Sequence, residues 1–275
     1  MFLASFFTSA GMDDNPTGYL FTWRHFLYIG FAILAFWLLM KLLLKQSEKT
    51  KRTAVIVLGI LMLLLKYGGE ILFVWEWNRF GDSISSFSHP FWDVRTFISF
   101  QICGINNVLL PLVIWFNIKP MKDFLYTTSI MGGLAVILYP VGILYGDPFV
   151  LTFPIIRSLI VHFLLVFLPC FMIATGDFQL EKKRWKNTFF GALIVSAFAM
   201  LGNLFIDPDA NNLYLMKNPF LGGPIPLLNS LPNGVHVIFL LVMVFLAFLM
   251  EYWLIGKYQR FQHRNNFLAD AKEKT

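Results

Sequence analysis

Charge is scarce in this chain: only 14% of its 275 residues are Asp, Glu, Lys or Arg, against about 25% in a soluble domain. Cysteine is scarcer still. Cys103 and Cys170 are the only two, both in apolar runs, so neither a disulfide framework nor a zinc-binding spacing is available. No metal cluster or nucleotide motif is visible, and neither a metal nor a cofactor is expected. The net charge of +6 is spread over short loops rather than gathered in one patch, so a nucleic-acid partner is not expected. Residues 1–23 have no basic leader and carry Asp13 and Asp14, a pattern unlike a cleavable signal peptide.

Apolar residues are abundant. They make up 57% of the chain, with 31 Phe and a mean hydropathy of +0.65. A membrane-spanning helix needs about 20 mostly apolar residues. Seven stretches qualify, at 26–44, 54–77, 97–116, 124–145, 153–175, 188–206 and 235–256. The expected fold is therefore an all-α polytopic bundle of seven transmembrane helices. It forms one transmembrane domain over 1–260, followed by a cytoplasmic tail at 261–275.

Basic residues orient the bundle. Sixteen of the 22 Lys and Arg fall on one side and four on the other, with Lys66 and Arg157 inside spans. The positive-inside rule then predicts N-terminus out, C-terminus in, as a multi-pass protein of the cell membrane. Trp23, Trp75, Trp77 and Trp92 read as an outer aromatic belt. Two outer connections, 78–95 and 207–234, are long enough to be functional. The second is rich in Pro and Gly and reads as a cap over a cavity or a re-entrant segment.

Ionisable residues within a membrane are costly and mark functional sites by default. Counting about 1.5 Å per residue from the outer edge places Cys103 about 9 Å down, His162 about 13 Å and Glu70 about 10 Å. Arg157 and Asn203 share that layer. Asn106 and Asn107 follow Cys103 by three and four residues, hence on its helix face, and Ser158 precedes His162 by four.

Each residue carries two readings. Cys103 is a nucleophile, activated as thiolate by a histidine, or a small packing residue. His162 is a general base or an interhelical hydrogen-bond donor. Glu70 orients His162 as a third triad member or pairs with Lys66 one turn away. Arg157 holds a lipid phosphate or snorkels to the interface. Cys170, next to Pro169, reads as packing.

Several motifs agree in order and spacing. They are Ile98-Ser-Phe-Gln-Ile-Cys103, Asn106, Leu109-Leu-Pro111-Leu, His162-Phe-Leu-Leu-Val-Phe-Leu-Pro169, Thr175-Gly176, Asn203 and Asn211-Asn-Leu-Tyr-Leu-Met-Lys-Asn-Pro219. Together they resemble the YwaF-like integral membrane proteins of bacteria, relatives of a eukaryotic transmembrane acyltransferase that builds ether phospholipids. The resemblance covers Trp23 to about His236. It implies a Cys nucleophile and a His partner, which fall on Cys103 and His162, and makes Glu70 and Asn203 site residues. Gln101 stands where that family often has His, and Ser99 where it has Pro.

The expected activity is thiol-dependent acyl transfer, or hydrolysis, on a membrane-lipid ester. Cys103 attacks, His162 moves the proton, Glu70 or Asn203 orients His162, Asn106 or Asn107 faces the oxyanion, and Arg157 steadies a headgroup. The alternative is a transporter or small-molecule binding protein using the same polar layer.

Overall fold

The computed structural model describes residues 20–84, 89–140, 152–221 and 226–273. The expectations for the leader at 1–19, for 141–145 at the end of the fourth stretch and for the last two residues of the tail lie outside them. Among the described residues the protein is all-helical, without strands. α1 spans Trp23–Leu43 and α2 Glu48–Leu63. α2 continues through a π-helical segment, Leu64–Gly68, into α3, Gly69–Ile84. Then come the short α4 (Val94–Phe97), α5 (Ile102–Trp115), α6 (Lys119–Leu138) and α7 (Phe153–Ala174). α8 (Trp185–Leu201) ends in a second π segment, Gly202–Ile206. The short α9 (Pro226–Asn229) precedes α10 (Val235–Glu273).

The starts follow local chemistry. Ser47 caps α2 by accepting from Thr50 N, and proline in the first turn of α6 and of α7 occupies a position whose missing N–H costs nothing. Among the described residues, five helical stretches are long and apolar enough to cross a membrane: Trp23–Leu43, Glu48–Arg79, Phe153–Ala174, Lys182–Ile206 and Val235–Arg264. The other two expected spans differ. α5 is apolar but has only 14 residues, about 21 Å. α6 has 20 residues, with Lys119, Lys122 and Asp123 in its first turns.

The third expected span thus begins at Ile102 rather than at residue 97. Ser99 Oγ accepts from Gln101 N at 3.3 Å, a local side-chain bond of the kind that competes with helix. It separates α4 from α5 and places Cys103 in the first turn of α5. α3 runs into the expected loop at 78–95, and α10 continues as helix through the expected tail to Glu273.

α6 is the hub. It packs against α1, α5, α7, α8 and α10, and every residue from Lys122 to Ile130 is buried. Two of its threonines bond back along the helix, Thr127 to Asp123 O at 2.6 Å and Thr128 to Phe124 O at 2.7 Å, while the Tyr126 and Ser129 hydroxyls are buried without a partner. α1 and α10 are peripheral and expose apolar side chains along their length. Lys41 lies over Trp37 at 4.6 Å and Lys257 over Trp253 at 3.9 Å, aromatic–cation pairs suited to a membrane interface.

Two adjacent glycines of α6 admit its neighbours closely. A Cβ on Gly133 would stand 2.7 Å from His162 O and 2.6 Å from Val166 Cγ2. A Cβ on the adjacent Gly132 would stand 3.0 Å from Cys103 Sγ. Small residues at such points let helices approach in a membrane. Gly133→Ala is expected to force α7 off α6 and cost about 1–3 kcal/mol, read as a lowered Tm in detergent. Gly30→Ala, with nothing within 4 Å of the new methyl, is expected to leave Tm unchanged.

Candidate functional site

The Gly132–Gly133 step carries Cys103 on one shoulder of α6 and His162 on the other. Both side chains line one cavity of about 180 Å³, together with Lys66, Glu70, Gly104, Asn107, Arg157, Ser158 and Val161. Of the predicted site residues, Glu70, Cys103, Asn107, Arg157 and His162 are brought together here. Asn106 and Asn203 are not among the lining residues.

Cys103 is a free thiol at the second position of α5. The preceding Gln101 makes no side-chain cap, and the first amides of a helix have no intrahelical acceptor. His162, only 8% exposed, folds its ring back on its own helix. Nδ1 lies 2.7 Å from Ser158 O and 3.3 Å from Ser158 Oγ. A carbonyl only accepts, so Nδ1 carries the proton and Nε2 keeps its lone pair. Among the described residues no hydrogen bond joins Cys103 to His162.

The group expected to orient His162 is therefore corrected. Glu70 Oε1 accepts from Lys66 Nζ at 3.0 Å and from Arg157 Nη1 at 3.3 Å, while the orienting acceptor is Ser158 O. The expected pair with Lys66 is present, and Arg157 faces the cavity rather than only the interface. Asn106 is also reassigned. Its amide donates to Thr128 Oγ1 at 2.9 Å, tying α5 to α6. Asn107 is 4% exposed and its Oδ1 is buried without a partner.

Asn203 lies in the π segment that ends α8 and holds the loop that follows it. Its Oδ1 accepts from Asn212 N and Nδ2, both at 2.8 Å, and its Nδ2 donates to Asn212 O at 3.2 Å. Asn211 Oδ1 accepts from Met216 N and Lys217 N, and Asn218 Nδ2 donates to Leu228 O and Leu231 O. These bonds hold Leu213 and Tyr214 at positive φ, 53° and 56°. Gln101 Oε1 accepts from Leu213 N at 3.0 Å, fastening the loop to the start of α5.

His25 and His236, both fully buried, repeat one arrangement. Nδ1 accepts a backbone amide, from Phe21 and from Gly234. Nε2 donates to Ile137 O at 3.2 Å and to Tyr214 O at 2.9 Å.

A second polar group lies ten residues away along α6, about 15 Å. Asp123 accepts from Arg184 Nε at 3.2 and 3.1 Å and from Asn187 Nδ2 at 2.8 Å. Glu181, next to it in the loop before α8, accepts from Arg184 Nη1 at 2.8 Å. Lys183 and Arg184 hold its carboxyl below the usual glutamate range. Glu251 of α10 is buried, with neither carboxyl oxygen hydrogen-bonded. The sequence signal for it was a lone glutamate in the apolar run 235–256. Gly132-Gly133 within an apolar stretch was the corresponding signal for the helix contact.

The fold and cavity define a polytopic helical membrane protein with a polar pocket between its helices. Residues 20–253 match the model of the TMEM164 family, and the chain belongs to that family. No curated protein and no solved structure matches it.

Two outcomes test these assignments. Asn203→Ala removes three hydrogen bonds from the loop and is expected to speed tryptic cleavage after Lys217, with Asn106→Ala leaving that rate unchanged. Glu251→Met replaces an unpaired buried carboxyl by an apolar side chain of similar size and is expected to raise Tm.

Proposed function

We propose that this protein is a multi-pass enzyme of the cell membrane that transfers, or hydrolyses, the acyl group of a membrane-lipid ester through Cys103 and His162. The observation that carries this reading is the shared cavity: a thiol in the first turn of an uncapped helix and an imidazole whose free nitrogen is Nε2. The YwaF-like motifs around both residues support it. In this reading α5 and α6 complete the five long apolar stretches to seven spans with the N-terminus outside, and the cavity lies in the outer half of the bilayer.

His162 Nε2 takes the Cys103 proton and the thiolate attacks the ester carbonyl carbon. The carbonyl oxygen becomes an oxyanion facing the first-turn amides of α5 and the Asn107 side chain. The C–O bond breaks, and the alkoxide leaves with the proton held on Nε2. An acceptor hydroxyl or water then gives its proton to Nε2 and attacks the thioester. The C–S bond breaks and the thiolate is restored. Ser158 O keeps the second imidazole nitrogen protonated throughout. The oriented Nδ1–H also stabilises the imidazolium between the two transfers.

The rival reading, solute transport through the same polar layer, requires a path to both aqueous sides. Leu165, Phe167 and Leu168, fully buried on the helix that carries His162, and Leu110 on the helix that carries Cys103 favour a pocket closed toward the Asp123–Arg184 end.

The test is labelling in lipid nanodiscs with an acyl-mimicking thiol-reactive probe. Cys103→Ala is expected to abolish labelling and turnover, and Cys170→Ala to preserve both. His162→Ala is expected to slow them about 10²–10⁴-fold. Full turnover in Cys103→Ala, or labelling indifferent to His162→Ala, would sink the mechanism and turn attention to transport.

A further inference from the structure

The cavity holds a charge group that the thiol chemistry does not use. Lys66, Glu70 and Arg157 all line it, and their side chains are only 12%, 13% and 28% exposed. Both cations meet the same oxygen, Glu70 Oε1. One carboxylate against two cations leaves one positive charge in a largely desolvated pocket, an arrangement that is costly without a further counter-anion.

The backbone is shaped to keep the cations there. Lys66 lies within the π segment Leu64–Gly68, a distortion frequent at functional sites, and donates additionally to Thr96 O at 3.2 Å. Gly69 follows. A Cβ there would collide with the Arg157 guanidinium, so Arg157 lies directly across bare backbone. Among the described residues its only hydrogen bond is the one from Nη1 to Glu70. Nε and Nη2 remain as donors in the planar fork that matches two oxygens of a phosphate.

Resting on the acyl-transfer reading, we propose that Lys66 and Arg157, spaced by Glu70, form an anion subsite for a phosphodiester. The subsite grips the headgroup phosphate of the lipid while its ester faces Cys103. A phosphodiester carries one negative charge, which is the charge the triad lacks. Glu70 then serves as a spacer that keeps the two cations together and limits their pull. The same chemistry would accept free phosphate, and the experiment separates the two sources.

Binding is measured on the full chain carrying Cys103→Ala, so that no turnover intervenes, by native mass spectrometry in detergent. The probes are dioleoylphosphatidylglycerol, dioleoylglycerol and oleate. The phosphodiester lipid is expected to bind about tenfold more tightly than dioleoylglycerol, the effect of one or two charge-assisted hydrogen bonds. Lys66→Gln and Arg157→Gln should each erase most of that preference. Glu70→Gln, which removes the competing carboxylate, should strengthen it. A gain in binding cannot come from misfolding, so this variant keeps the test decisive if the others prove unstable.

An unchanged preference in Lys66→Gln and Arg157→Gln would overturn the subsite, as would oleate binding as tightly as the phosphodiester lipid. Displacement of the lipid by millimolar inorganic phosphate would reassign the subsite to the free ion and overturn the lipid source. Turnover in the Cys103→Ala protein tests the acyl-transfer reading alone. The two ideas therefore fail separately.

Discussion

The close approach of α5 and α7 to α6 at Gly132–Gly133 is the constraint on which the cavity depends. In a membrane, apolar helices gain little by leaving lipid for one another, so tight van der Waals fit and hydrogen bonds decide where they touch. Here the fit is a two-residue notch. Gly133 admits the backbone of α7 at His162, and Gly132 admits the Cys103 thiol. Any side chain at either position would separate the two groups before affecting the chemistry of either. The buried Asn106–Thr128 hydrogen bond, one turn from the notch along α6, adds a polar contact that has no water to compete with it.

The cavity concentrates its charge, whereas α7 runs from it toward the other end of the bundle as a closely packed aromatic row. Phe163, Phe167 and Phe171 stack in sequence along α7, with Phe36 of α1 edge-on to Phe167. The Lys66–Glu70–Arg157 group and the Asp123–Arg184–Asn187 group are separate clusters. The two differ in kind. Asp123 is fully engaged by a guanidinium and an amide and reads as a structural clamp between α6 and α8. Glu70 shares one oxygen between two cations, an arrangement with charge to spare.

Much of the architecture was legible from hydropathy, because long apolar runs leave few alternatives to helices. The main departure was the third stretch. Phe97–Ser99 is apolar enough to count as span, but one Ser99 hydroxyl bonding to Gln101 N moves the helix start to Ile102. Depth arithmetic placed Cys103, His162, Glu70 and Arg157 in one layer, and they do share a cavity. It could not assign partners, because depth ignores the direction in which each side chain points around its helix. Glu70 and His162 lie in one cavity yet hydrogen-bond elsewhere. Asn203 lies in the π segment that ends α8, and its hydrogen bonds hold the Asn211–Asn218 loop. The resemblance motif Asn211–Pro219 is thus readable as loop chemistry, with Asn211 and Asn218 spending their amides on backbone groups and Asn212 donating to Asn203 Oδ1.

His162 shows how these levels join. Its Nδ1 is satisfied by Ser158 O, four residues back on the same helix, so no other helix sets the tautomer or the ring direction. In a serine-protease-type triad a separate acidic residue does that work, and its helix must be held in register as well. Here the orienting acceptor is built into α7 and moves with the imidazole. The seating of α5 and α7 on α6 at the glycine pair then brings thiol and imidazole to one cavity. With the histidine satisfied within its own helix, the carboxylate of Glu70 in the same cavity is left to the two cations, Lys66 and Arg157.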